Sequence, residues 1–324
     1  MMQQKIDNLS ALSKYRSELM GIAIIWIVLF HSNISAPDNF FLRVLWYLFV
    51  SFGGGIGVDI FFILSGFGLF YSVQFIDKEV ISRNWGGWIV KRMKRILPSY
   101  LIVAILYYIL KGDFCLYNLC QLNFLVNGIR DFWFIPAIVI CYLLFPLFYQ
   151  IGKKIGFRNM MIVSTLIVVA VTYALNYFNP IYYSKIEIFL QRIPCFVLGI
   201  YWGYLSVINS YKEYYLGIIF SVLLIPVCMY THFVGSSRWT FFFMTIVFIQ
   251  VLLLLLIYLG NTLKTILQYL GKRSLQIYLT HVSLGIMLSN LILIKEFSLA
   301  IYFVSALVMG ELLYRTNNFL LRKY

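Results

Sequence analysis

His31 is the residue of this chain best placed to do chemistry. It closes an apolar run that starts at Met20, and hydrocarbon makes an ionisable side chain so expensive that such groups usually mark working sites. With a first span at 19–35, His31 lies about 12 residues in, roughly 18 Å from the cytoplasmic end at a rise of 1.5 Å per residue. In a core ~30 Å thick that is past the midplane, toward the outside. A neutral imidazole there can take a proton from a hydroxyl and return it to a leaving thiolate. The plainer alternative is a histidine that only hydrogen-bonds a neighbouring helix.

Asp59 opens the second span, just after Gly53-Gly54-Gly55, and sits roughly 3–5 Å below its outer end. Two readings stand side by side. As a carboxylate on one nitrogen of His31 it would fix the tautomer and stabilise the imidazolium formed during transfer. As a first-turn acid it would simply complement the helix dipole.

At the other side of the membrane, Lys91, Arg92, Lys94 and Arg95 crowd the cytoplasmic mouth of the third span. Arg92 and Arg95, at i and i+3, share one helix face and suit the 3′-phosphate and pyrophosphate of coenzyme A. Topology signalling or lipid head-group contact is the competing reading for the cluster as a whole. Arg16 and Glu18 stand at the inner edge of the first span, ~20 Å along the helix from His31, so neither touches it. Glu18 reads either as a first-turn acid or as part of a cytoplasmic donor site. His281 falls about 7 residues into the ninth span, roughly 10 Å from the cytoplasm, nearer a donor cofactor than an outer substrate. Trp133 opens the fourth span as an interfacial anchor or as a stacking surface for a sugar ring. Glu311, in the last span, has no partner that the sequence identifies.

These residues need helices to hold them. The chain has 324 residues, 62% hydrophobic and 19% aromatic, with a mean hydropathy of +0.86. A spanning helix takes ~20 apolar residues, and the pattern predicts an all-α, polytopic membrane protein with spans at 19–35, 56–72, 96–111, 132–150, 160–178, 188–207, 214–231, 239–259, 274–292 and 298–315. The alternation expected of a transmembrane barrel is missing. No internal repeat is evident, and no cleavable signal peptide is expected, because residues 1–15 are polar.

The net charge of +14 does not indicate nucleic acid. With the N-terminus cytoplasmic, 19 of the 26 Lys and Arg residues fall inside, the asymmetry of the positive-inside rule; both termini are then cytoplasmic. The glycine run is expected to break the second span and mark a cavity near the outer leaflet, or else to leave 42–51 lying along the interface. Cys115 and Cys120 share an outer loop and could pair there; Cys141, Cys195 and Cys228 read as packing residues.

Four segments, in order, resemble the acyltransferase 3 family of integral-membrane O-acyltransferases. Its members carry acid–Leu–Arg–Gly…Phe-His, here Glu18…Phe30-His31; Gly-Val-Asp-x-Phe-Phe-x-Leu-Ser-Gly, here Gly57…Gly66; an Arg-x-x-Arg pair before Leu-Pro-x-Tyr, here Arg92…Arg95 with Leu97-Pro98-Ser99-Tyr100; and Ser-x-x-x-Tyr-x-x-His, here Ser274…Tyr278…His281. One position departs. The family's arginine eleven residues before the histidine is Met20 here, and Arg16, one turn earlier, is the candidate substitute.

The resemblance implies transfer of an acyl group (acetyl first, succinyl second) from cytoplasmic acyl-CoA to a hydroxyl of an extracytoplasmic polysaccharide or glycolipid. It assigns catalysis to His31 and CoA binding to Arg92 and Arg95; from their positions, Asp59 is expected beside His31, Arg16, Glu18 and His281 on the donor side, and Trp133 on the acceptor side. It implies no metal. The expected division is a cytoplasmic segment 1–15, an acyltransferase domain 16–317 and a tail 318–324, in a bacterial cytoplasmic membrane, with membrane lipids and a glycan synthase or exporter as partners. Two competing functions are a proton-coupled transporter or glycan exporter, and a non-catalytic scaffold for a glycan synthase.

Overall fold

A computed structural model describes residues 8–31, 37–47, 50, 52–75, 85–235, 239–289 and 298–322. Lys5, Lys78, Arg83 and Lys295 fall outside them. Every element among the described residues is helical: α1 (Asn8–Lys14), α2 (Arg16–His31), α3 (Phe40–Trp46), α4 (Phe52–Phe75), α5 (Trp85–Lys111), α6 (Leu116–Leu119), α7 (Leu122–Asn127), α8 (Phe134–Ile155), α9 (Phe157–Phe178), α10 (Pro180–Leu190), α11 (Ile193–Ile208), α12 (Tyr211–Gly235), α13 (Trp239–Tyr258), α14 (Asn261–Lys272), α15 (Ser274–Ser289) and α16 (Ser298–Arg322). Seven stretches are long and apolar enough to cross a membrane: α4, α5, α8, α9, α10 with α11, most of α12, and α13. This is a multi-pass membrane protein. Among the described residues, each expected span overlaps a helix of the fold.

The centre is α4, apolar and buried along nearly its whole length. It packs on α2, α11 and α13. The glycine run does not break it, contrary to the sequence expectation: α4 runs unbroken from Phe52 through Gly53–Gly55. The glycines serve close packing instead. A Cβ on Gly54 would lie 2.4 Å from the Phe30 ring, and one on Gly57 would lie 2.8 Å from the Ala23 carbonyl. Small residues let two helices approach in this way where apolar solvent offers no hydrophobic drive. The stretch before the run forms α3, whose Phe40, Phe41, Leu42 and Val44 are exposed.

Two short helices were not foreseen. In α1, Leu9, Ala11 and Leu12 are buried, so the second half of the N-terminal segment packs on the bundle against α2, α11 and α13. The amphipathic α14 lies beside the first turns of α2. A Cβ on Gly271 would lie 1.8 Å from the Ser17 carbonyl oxygen, and one on Gly21 would lie 2.1 Å from that of Leu267. This tight seat brings α15 into the bundle at the level of Met20 rather than Arg16, which decides where His281 ends up.

Candidate functional site

Three stations lie in line along α2, α4, α5 and α15. The innermost is a cationic cavity of ≈ 340 Å³ lined by Ser13, Arg16, Gly68, Ser72, Lys91, Arg92 and Arg95, with Phe67 and Tyr71. The i, i+3 spacing brings Arg92 and Arg95 to the same wall, as the sequence suggested. Arg92 donates from Nη2 to the Ser72 hydroxyl, and its guanidinium lies 5.2 Å from the Trp88 ring centroid, so its approach angle is held on both sides. Arg16 joins them from α2. Its Nε donates to the Leu64 carbonyl at 3.2 Å, and its guanidinium occupies the space a Cβ on Gly68 would need, 2.7 Å from Nη2. Among the described residues, no acidic side chain lines this cavity.

One to two turns farther out is an apolar cavity of ≈ 130 Å³, walled by Met20, Ile27, Phe61, Ile96, Phe134, Ile138 and Leu275, with hydroxyls from Ser65, Tyr142, Ser274 and Tyr278. Met20 is four residues from Arg16, Ile96 adjoins Arg95, and Ser65 follows Leu64. The second cavity therefore continues from the first along three helices at once.

At its outer end stand two histidines. His31 follows Ile27 by one turn on α2, and His281 follows Tyr278 by one turn on α15. Their rings face each other at 5.2 Å between centroids, edge to face. His31 is accessible, whereas His281 is buried. Each ring is anchored one turn back on its own helix: His31 Nδ1 lies 2.8 Å from the Ile27 carbonyl oxygen and His281 Nδ1 lies 3.2 Å from that of Ile277. A carbonyl can only accept, so Nδ1 carries the hydrogen in both rings and Nε2 keeps the lone pair. The base nitrogen of His31 is thereby fixed without any carboxylate.

Several expected placements change. His281 is not at the cytoplasmic end with the donor residues; it stands against His31, because α14 takes up the inner level of the bundle and α15 starts above it. Asp59 does not orient His31, nor does it cap a helix. It lies seven residues inside α4, fully buried, with Arg192 Nη1 2.8 Å from Oδ1 and the Thr245 hydroxyl donating to Oδ2 at 3.4 Å. The sequence held a signal for this. Gly57 faces α2, and two residues on is about 200° around the helix, so Asp59 had to point away from His31. Arg192, the residue missed, precedes α11.

Glu18 does not line the cationic cavity; its buried carboxylate accepts from Gln268 Nε2 at 2.9 Å and ties α14 to α2. Trp133 precedes α8, half-buried, with its ring 6.3 Å from that of Phe124, so part of its face is already covered. Glu311 has partners after all: Arg273, Arg315 at 2.7 Å and the Tyr269 hydroxyl at 2.8 Å. Cys115 and Cys120 are both free thiols.

Residues 19–312 match the acyltransferase domain family Acyl_transf_3. That is nearly the whole chain, so the protein belongs to the acyltransferase 3 family and is an acyltransferase of groups other than aminoacyl. No curated protein and no solved structure matches it.

Proposed function

We propose that this member of the acyltransferase 3 family carries an acyl group from cytoplasmic acyl-CoA through the bundle to a hydroxyl of a polysaccharide or glycolipid on the outer side of a bacterial cytoplasmic membrane, crossing that membrane ten times with both termini inside. The observation that carries this reading is the alignment of the three stations. A cationic pocket suits the phosphates of a nucleotide carrier. The apolar cavity suits a pantetheine arm and its thioester. The distance from Arg16 to His31 along α2 is roughly 22 Å, within the reach of such an arm.

The steps follow from the groups present. CoA phosphates are held by Arg92, Arg95 and Arg16, with Lys91 at the entrance. The thioester carbon comes to the outer end of the apolar cavity, below His31. His31 Nε2 takes the proton of the acceptor hydroxyl as its oxygen attacks the carbonyl carbon. The C–S bond breaks, the C–O ester bond forms, and the proton returns to the thiolate sulfur. The net reaction yields an ester and a free CoA thiol. The transport and scaffold readings have no comparable observation among the described residues.

The test is His31→Ala in purified protein, with acetyl-CoA and succinyl-CoA each offered as donor and free thiol as readout, beside base-labile acyl content of the surface glycan in cells. A catalytic base is worth ~10²–10⁴-fold in rate, and a loss of that size is expected. A loss under about tenfold would leave His31 a structural residue, and a wild-type protein that releases no thiol would remove the acyl-CoA reading.

A further inference from the structure

The family resemblance points to one histidine base, but the fold brings two histidines together. The second stands beside the first at the outer end of the apolar cavity: Tyr278, which lines the cavity, is 5.4 Å from the His281 ring, and the His281 ring is 5.2 Å from that of His31. That separation is the length spanned by two imidazoles joined through one N–H···N hydrogen bond. His281 is 1% exposed. Its Nδ1 is turned to the Ile277 carbonyl, and its Nε2 is buried with no hydrogen-bond partner. A buried polar atom without a partner is uncommon and needs a reason.

The chemistry of the transfer supplies one. At rest both rings carry a hydrogen on Nδ1, held by backbone, and each presents an Nε2 lone pair, so neither donates to the other. Once His31 takes the hydroxyl proton at Nε2, it gains a donor beside a waiting acceptor. Burial of the imidazolium without an acceptor would be expensive, and hydrogen bonds from a charged donor are roughly twice as strong as neutral ones. Asp59 cannot serve, because its carboxylate is committed to Arg192 on the other side of α4.

We propose that His281 is a positioning residue of the transfer reaction: its Nε2 accepts the proton-bearing Nε2–H of the His31 imidazolium and holds that proton until it passes to the leaving thiolate. This rests on the acyl-CoA reading above. No group is consumed: the acceptor O–H and the C–S bond break, the ester C–O and thiol S–H bonds form, and both imidazoles end neutral with their Nδ1 hydrogens in place. His281 makes no contact with the reacting carbon in this scheme and contributes only when His31 is charged.

The experiment compares His281→Leu, His281→Gln, His31→Ala and the His31→Ala/His281→Leu double variant in native membranes. Acetyl-CoA is the donor and the membrane's own glycan the acceptor, with CoA binding as the check on folding. His281→Leu is expected to lower kcat about 10²-fold with the donor KM unchanged. His281→Gln, whose amide oxygen can accept from the imidazolium, is expected to recover to within about fivefold of wild type. The double variant should be no slower than His31→Ala alone, because the second residue acts through the first.

A His281→Leu protein within twofold of wild type overturns the proposal. So does one with a raised donor KM and an intact kcat, which would return His281 to the donor site. If His281→Leu loses CoA binding, the Gln variant decides: near-normal kcat supports the pair, and a folded but inactive Gln variant overturns it. A wild-type protein that releases no thiol from acetyl-CoA removes the acyl-CoA reading itself, a His31→Ala protein that transfers normally removes His31 as the base and the pair with it, and an inactive His31→Ala beside a normal His281→Leu removes only the pair.

Discussion

Two arginine sites inside this bundle are handled in opposite ways. The Arg192 side chain is 3% exposed against an Asp59 carboxylate at 0%. Arg16, Arg92 and Arg95 instead converge on a space of ≈ 340 Å³ that no acid among the described residues lines. The sealed pair carries desolvated charge, which an apolar medium penalises unless it is matched; Arg16 and Arg92 are half-buried and Arg95 is exposed. In the first, each charge has its opposite within the fold, so the pair locks α4 to the start of α11. In the second, a carbonyl holds Arg16, a hydroxyl and an indole face hold Arg92, and all three arginines border the cavity. An ion pair sealed within the fold serves architecture; arginines that border an open cavity are placed to meet a ligand that brings its own negative charge.

The largest effect is expected at the sealed pair. Asp59→Ala leaves Arg192 buried and uncompensated, and breaking a buried ion pair typically costs ~3–5 kcal/mol. Loss of folded protein in detergent, by size-exclusion yield and thermal melting, is the expected outcome. Replacing both partners by apolar residues of similar size, as in Asp59→Leu/Arg192→Met, should recover most of that stability and keep acyl transfer. A double variant that folds but loses about 10²-fold in kcat would place Asp59 in the reaction and break the comparison.

At the open site the effect should be smaller and of a different kind. Arg95→Ala is expected to leave the fold intact and to raise the donor KM about 10–100-fold, the equivalent of ~1.5–3 kcal/mol for a charge-assisted contact. Arg92→Ala should do the same and also loosen Ser72 and Trp88. Arg→Lys at either position should recover only part, since an ammonium cannot bind a phosphate bidentately. If both alanine variants keep a normal donor KM but insert with mixed topology in cysteine-labelling assays, the cluster is an orientation signal instead.

How much of this was legible depends on which contacts are local. The spans follow from hydropathy, because apolar length is a property of a segment alone: the described part of each expected span overlaps a helix, and seven stretches are long and apolar enough to cross a membrane. The Arg92–Arg95 face and the candidacy of His31 are local too, resting on spacing within one helix. What failed was relative depth. Counting residues from the start of each span put His281 some way below His31, and that arithmetic assumed both helices begin at the membrane edge. The tight seat of α14 on α2, made by Gly21 and Gly271, moves α15 outward, and no pattern within residues 274–281 records that shift. The Gly53–Gly55 run misled for a related reason: a triple glycine reads as a break when its neighbours are unknown, and as a close-packing surface once Trp26, Phe30 and Phe241 are beside it.

The smallest effect tests a residue that looks alike from both sides of the comparison. Glu18 is buried, charged and near the cytoplasmic end, so it could serve the donor or the fold. Its geometry favours the fold: one oxygen accepts from Gln268 Nε2 at 2.9 Å, the other makes no hydrogen bond, and it does not line the cationic cavity. Glu18→Gln keeps an acceptor for Gln268 and removes the charge, so about 1 kcal/mol or less of stability should change, with the donor KM and kcat within twofold of wild type. Glu18→Ala, which strands the Gln268 amide, should cost somewhat more stability and still leave the donor KM alone. Thermal melting with and without CoA separates the alternatives, because a structural Glu18 lowers both curves equally. A variant in which CoA no longer raises the melting temperature, or whose donor KM rises tenfold, would move Glu18 to the open site and show that the donor pocket extends beneath α14.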